Sequence, residues 1–371
     1  MALPFPTVRI PSFILVPAAV AQVLAAVPGG VALRADLDAG HYLKVLADSS
    51  ARLAQQPRDP SALAAKSQAL SALMRFGEAA ALAQQALDLE PNLADAYLAR
   101  GLARAGTAVQ QRNFGSLRQI SGAMDDLREA SGRDPSLQTA WLTLGVAYQQ
   151  LPGWFGGSTR KALACADALD RLSGPRGAAL RGTILALDGA WREADPAFQR
   201  ALALAPGDPQ VVAAYLEALA DKAAKKALGI DGQRSRLASE ARRLAAGVRT
   251  SGRGMEAICG ALQEAGLPDE AWATAAAALK TADAPSLLRL QLGKLAARSG
   301  VHRTDGLAWL DQVLREPLEG GSGGYPAAHW RRGQVLRDLG RLAEARSAAQ
   351  AALALDSRHP GARRLLEDLD R

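Results

Sequence analysis

From residue 60 onward, apolar side chains recur at intervals of three and four, the period of a helix with one buried face. In Gln138–Tyr148, Trp141, Leu144, Gly145 and Tyr148 stand at i, i+3, i+4 and i+7. Gly189–Pro206 carries Trp191, Ala194, Phe198 and Ala201 on a similar stripe and stops at Pro206, which cannot donate a helix hydrogen bond. Nothing in the chain reads as a strand. A helix near Ala39–Ala54 is predicted to precede the periodic region, and Gly361–Asp370 to close it.

The two fragments recur in register. Residues 60–93 hold Leu63, Leu70, Phe76, Ala79, Ala86 and Pro91; 94–137 hold Tyr97, Gly101, Ala123, Ala130 and Pro135, about ten residues over length. Units follow at 138–174, 175–208 (Gly182 in the small-residue slot), 209–251, 252–285 (Cys259, Leu262, Gly266, Ala271), 286–325 (Gly293, Gly300, Trp309) and 326–359 (Trp330, Gly333, Ala345, Ala352), with a closing helix in 360–371. W-x2-L-G-x2-Y, then A-x3-F-x2-A, then P resembles the tetratricopeptide repeat (TPR) family, whose period is 34 residues. The resemblance implies an all-α fold over 33–371, a right-handed α-α superhelix (TPR solenoid) of about eight helix-turn-helix repeats. Small residues at positions 8, 20 and 27 let paired helices approach, and large ones at 4, 7, 11 and 24 fill the space between units. A single pair cannot bury its own apolar face, so units must stack.

Composition agrees with helices: 49% apolar but only 5% aromatic, with Ala and Leu dominant and β-branched residues few. Two cysteines and four histidines leave little for a disulfide framework or a metal cage. Cys165 and Cys259 lie nearly three repeats apart and are expected to be buried thiols. The net charge of +7 is concentrated: nine Lys/Arg against three Asp/Glu fall in Asp221–Gly254. That basic patch (Lys222, Lys225, Lys226, Arg234, Arg236, Arg242, Arg243) lacks the stacking aromatics of a nucleic-acid surface. A solvated helix face is the plainer reading, with weak nucleic-acid binding as the alternative.

The N-terminus differs from the rest. Met1–Arg34 has no acid, Arg9 near its start, and an uncharged run from Ile10 to Val27. Residues 1–32 are therefore expected to be a signal peptide, cleaved after Ala25 or Ala32, with export to the periplasm or envelope. The alternatives are an uncleaved anchor, or an apolar segment packed on the first repeat of a cytoplasmic protein. Pro11 and Pro17 count against a membrane-spanning helix.

Candidate chemistry is sparse. Gly320–Gly324 satisfies G-x-S-x-G without the strand a nucleophile elbow needs, and Gly252–Ala257 imitates a dinucleotide fingerprint without a βαβ frame. Ser158, Thr159, Arg160 and Lys161 stand where a helix should begin, so they form either a candidate anion site or an ordinary cap. Trp154 and Phe155, in the turn before them, either tuck into the neighbouring unit or present an aromatic anchor. No acid–base constellation can be assembled, so no enzyme, cofactor or metal is expected.

In the family, positions 2, 5, 9, 12 and 13 of each first helix line a concave surface. Here they imply an apolar stretch with some amides (Leu98, Leu102, Leu142, Val146, Gln149, Gln150, Ala179, Thr183, Leu187), then an acidic zone (Glu217, Asp221, Glu256). The Lys and Asn that clamp a peptide C-terminus in some members are replaced by Ala64, Gln68, Leu98 and Leu102. The expected partner is a protein or peptide segment, an amphipathic helix with basic residues, held by a non-catalytic scaffold of the cell envelope. A lipid or small apolar ligand is the alternative, since the chain is loosely similar in organisation to the exported T component of TRAP transporters.

Overall fold

A computed structural model describes residues 29–111, 115–319 and 323–371. Among them the regular structure is nineteen α-helices and one short 3₁₀ turn, with no strand. The expected signal peptide and the G-x-S-x-G serine lie outside the described residues, apart from residues 29–32, which begin the first helix. Cleavage after Ala32 would remove that helix's first turn.

The chain divides into two compact units. The described part of the first comprises residues 29–40, 45–205 and 222–227. It begins with α1 (Gly29–Ala39) and most of α2 (Tyr42–Gln55). The hairpins α3 (Pro60–Ala72) with α4 (Phe76–Leu89), α5 (Ala94–Gln111) with α6 (Gly115–Arg133), α7 (Gln138–Gln150) with α8 (Thr159–Leu172), and α9 (Gly174–Leu187) with α10 (Trp191–Leu204) follow. The second comprises residues 41–44, 206–221 and 228–371. It contains α11 (Pro209–Leu219), most of α12 (Lys222–Ala245), and the hairpins α13 (Gly252–Glu264) with α14 (Pro268–Ala278), α15 (Pro285–Ser299) with α16 (Arg303–Val313), and α17 (Gly324–Asp338) with α18 (Leu342–Leu355). The closing helix is α19 (Pro360–Leu369).

Local chemistry sets these boundaries. Pro60, Pro209 and Pro360 occupy first-turn positions, where a missing N–H costs nothing. The side chains just before them cap the helices: Asp59 accepts from Ala62 N at 3.0 Å, Asp208 from Gln210 N at 2.8 Å, and His359 Nδ1 from Ala362 N at 3.1 Å. Pro91, Pro135 and Pro206 fall just past α4, α6 and α10, as the period predicts. The turns inside the hairpins need a left-handed residue. Gly189, Gly266 and Gly340 supply it at φ 84°, 86° and 76°, whereas the first hairpin forces Met74 to φ 64°.

Packing follows the small-residue rule. A Cβ added at Gly182 would lie 2.8 Å from Phe198 of the paired helix, and one at Gly293 would lie 2.3 Å from Leu310. In the first unit α3 touches α5 and α7 touches α9; in the second α11, α13, α15 and α17 touch in succession. First helices thus pack on first helices in both units, and in the first unit α6 against α7 joins the second repeat to the third. The over-length second repeat lengthens both of its helices, to 18 and 19 residues. The fifth instead breaks α12 at Gly229 (φ 74°, ψ 172°), which separates Lys222–Leu228 from the helix that follows.

Candidate binding groove

The first helices of the first unit present positions 2, 5 and 9 on one side, and α1 lies against that side. Gln68 of α3, Asp95 and Leu98 of α5, and Thr139 of α7 line one cleft with Arg34, Leu37 and Asp38 of α1. Leu33 and Leu37 of α1, one helical turn apart, are both buried. Arg34 pairs with Asp95 and, at 3.1 Å, with Asp134 in the turn before α7. Burial works against the Arg34 charge, but the two carboxylates raise its pKa above the ordinary value. Asp134 is half-buried, which works against its charge, yet hydrogen bonds from Ser136 and the Arg34 guanidinium hold it below the usual carboxylate range. Asp38 moves the other way. Burial pushes its carboxyl up to about 6, against the lowering influence of Arg176 and Arg34. Arg176, second residue of the fourth repeat, is buried and donates to Gln138 Oε1 at 2.9 Å.

Equivalent positions in the second unit pair with one another. Arg253 of α13 donates to Glu217 of α11 at 2.9 Å and to Glu256 at 3.2 Å, and Lys294 of α15 donates to Glu256 at 2.9 Å. Burial would raise the Glu256 pKa, but Lys294 and Arg253 bring it down to about 2. The Glu217 carboxyl is raised, because burial outweighs the help of Arg253. Glu264 is engaged by Arg298 at 2.6 Å. Residues 41–44 also belong to this unit: Glu319 accepts from Leu43 N at 3.0 Å, at the start of α2.

Against known proteins, a family model described as tetratricopeptide repeat matches residues 326–359. That stretch, α17 with α18, is a tetratricopeptide repeat, and the other helix hairpins of the described residues share its layout. No curated protein matches the chain. Solved structures similar to it include TTC0263, a thermophilic TPR protein of Thermus thermophilus (24% identity, 51% of this chain and 95% of that one, TM-score 0.42). Yeast Tom70 (12%, 91% and 86%, 0.48) and the Cut9–Hcn1 hetero-tetramer of the APC/C (16%, 92% and 57%, 0.41) are also similar.

The tetratricopeptide layout places the sequence-derived candidates unevenly. Leu98, Leu102 and Val146 are buried members of one apolar cluster, with Leu142 packed against it. Ala179 and Thr183 are buried as well, and the Thr183 hydroxyl donates to the Ala179 carbonyl at 3.0 Å. Gln149 reaches Asp188 at 3.1 Å, while Gln150 and Leu187 are half-buried. The expected acidic zone presents no free pair of acids: Glu217 and Glu256 are neutralised by Arg253 and Lys294, and Asp221 is exposed just past the end of α11.

At the candidate anion site the cap reading holds, with Ser158 Oγ accepting from Lys161 N at 3.3 Å. Ser158 N is given to the Tyr148 carbonyl and Gly157 N to that of Pro152. Thr159 opens α8, Arg160 is exposed, and Lys161 lies over the Tyr148 ring. Trp154 is 78% exposed and meets Phe155 edge-on, so it does not tuck into a neighbour.

The basic residues are divided between the two units. Lys222, Lys225 and Lys226 belong to the first unit and Arg234, Arg236, Arg242 and Arg243 to the second, with the Gly229 break between them. Arg242 and Arg243 are paired with Glu270 and Glu240. Cys165 and Cys259 are buried, and burial pushes both thiols up to about 12.

Sequence patterning does not single out Asp95, Thr139 or Arg176. All three occupy position 2 of their repeats, so the position rule already points to them. Asp134, in the turn between repeats, carries no such signal.

Proposed function

We propose that this protein is a non-catalytic adaptor of the cell envelope, and that the groove of its first unit holds a helical segment of another protein. The observation that carries this reading is the occupied groove itself. An amphipathic helix lies there with two leucines buried and an arginine between two aspartates, which is the helix-in-groove mode of recognition. The cleft's polar lining, with Gln68, Asp95, Gln138 and Thr139, suits a peptide better than a lipid chain. Export rests on the acid-free N-terminus with its uncharged run. Cleavage at either expected site would leave Leu33–Asp38 in the mature chain.

The test is a photo-crosslinking residue placed at Gln138 in the full-length protein inside cells. Discrete polypeptide adducts are the expected result. Native mass spectrometry showing a retained apolar small molecule, with no polypeptide adduct, would overturn the adaptor reading.

A further inference from the structure

We infer that α1 is a built-in stand-in for the partner: the first unit's groove takes a short helix bearing Leu-Arg-x-x-Leu-Asp chemistry, and α1 vacates it when such a helix docks. This inference rests on the adaptor reading and adds what the partner looks like and what competes with it.

Three observations converge. First, α1 meets the groove at the positions that run across successive repeats. Gln68 is position 9 of the first repeat, Asp95 and Leu98 are positions 2 and 5 of the second, and Thr139 is position 2 of the third. Arg176, position 2 of the fourth, acts on Asp38 together with Arg34. A helix that packed merely as one more repeat would stop at its immediate neighbour, α3, on which α1 does pack, whereas Arg34 reaches on to Asp95 and Asp134.

Second, the charges are complementary and shared across the contact. Arg34 is the only Lys or Arg between Arg9 and Lys44, and it reaches two aspartates that lie 39 residues apart in sequence. In the second unit the acids Glu217 and Glu256 are satisfied by cations of the repeat layer itself. Here the satisfying cation is brought by a separate helix.

Third, the contact has the character of an exchangeable one. The Arg34 side chain remains 38% exposed, which limits what the ion pairs contribute. Asp38 is held where burial disfavours its charge. Leu33 and Leu37 supply the apolar anchors. An external helix with the same anchors could replace every one of these contacts, so α1 sets the threshold affinity a partner must exceed.

The experiment uses a fluorescent peptide with the sequence of residues 29–40, titrated into the full-length protein and followed by anisotropy. Wild type, with its groove filled, is expected to bind the peptide at least about tenfold more weakly than an Arg34→Glu/Leu37→Asp variant, whose own α1 cannot seat. Adding Asp95→Ala and Asp134→Ala to that variant is expected to abolish the binding. Circular dichroism and Tm verify that each variant is folded. Hydrogen exchange gives a second readout, with α1 amides losing protection in the double variant while α3 and α5 keep theirs.

Equal binding to wild type and variant, or no binding to a folded variant, would overturn the inference. Peptide binding to the opened variant, together with an absence of polypeptide crosslinks at Gln138 in cells, would instead overturn the adaptor reading and leave α1 as a self-contact alone.

Discussion

The two units use the inner layer of their first helices for opposite ends. In the second, Glu217, Arg253, Glu256 and Lys294 form a buried chain of ion pairs from α11 through α13 to α15. Each charge is satisfied by the neighbouring repeat, so this stretch of the layer is a structural seam. In the first, Asp95 and Asp134 face the same side, and the cation between them arrives on α1. A family position rule therefore marks which residues line the inner layer, but not whether they recognise something or lock the layer to itself. That depends on whether complementary charges sit on adjacent repeats.

The largest expected effect tests the seam. Glu256→Gln leaves Arg253 and Lys294 buried without their shared carboxylate, and loss of one member of a buried ion pair costs roughly 3–5 kcal/mol. Denaturant unfolding should show this loss in the second unit. An unchanged midpoint would mean that the seam is solvated and not structural.

A smaller effect has the opposite sign. Met74 takes the left-handed turn conformation that Gly266 and Gly340 take in the second unit. Met74→Gly should stabilise the first unit by about 1 kcal/mol or less, because the strain of a side chain there is relieved while the unfolded chain gains freedom. Thermal melts measure it directly.

Changing pH separates the two regions further. The Asp38 carboxyl titrates near 6 in the folded protein, above its unfolded value of 3.8. With α1 seated the protein therefore binds more protons between about pH 4 and 6, and docking strengthens as pH falls through that window. The Glu256 carboxyl is shifted the other way, to about 2. Its contribution is fully present at neutral pH and is lost as pH falls from about 4.5 toward 2. Hydrogen exchange, corrected for intrinsic rates, should show severalfold better protection of α1 at pH 5.5 than at 7.5. Asp38→Asn should remove that dependence.

Much of the architecture was legible in the sequence. Trp141, Leu144, Gly145 and Tyr148 in α7, and Trp191, Ala194 and Phe198 in α10, mark the first and the second helix of the repeat hairpin through local rules alone. Cap and proline chemistry fixes its ends. The Gly229 break was not legible, because a glycine inside an otherwise helical run reads as a tolerated weak point until its φ is known. The groove was legible by position but not by occupancy. Leu98, Leu102 and Val146 occupy lining positions, yet they are also core residues of the layer. That α1 would cross to Asp95 and Asp134 depends on a contact between residues 61 and 100 apart in sequence, which no local pattern encodes.

The most direct test is amide hydrogen exchange across residues 30–40, comparing wild type with Asp95→Asn/Asp134→Asn at neutral pH. Protection of α1 in the wild type, lost in the variant while α3, α5 and α7 remain protected, is the predicted result. An α1 equally protected in both proteins, or unprotected in the wild type, would contradict a groove built around the Arg34 contact.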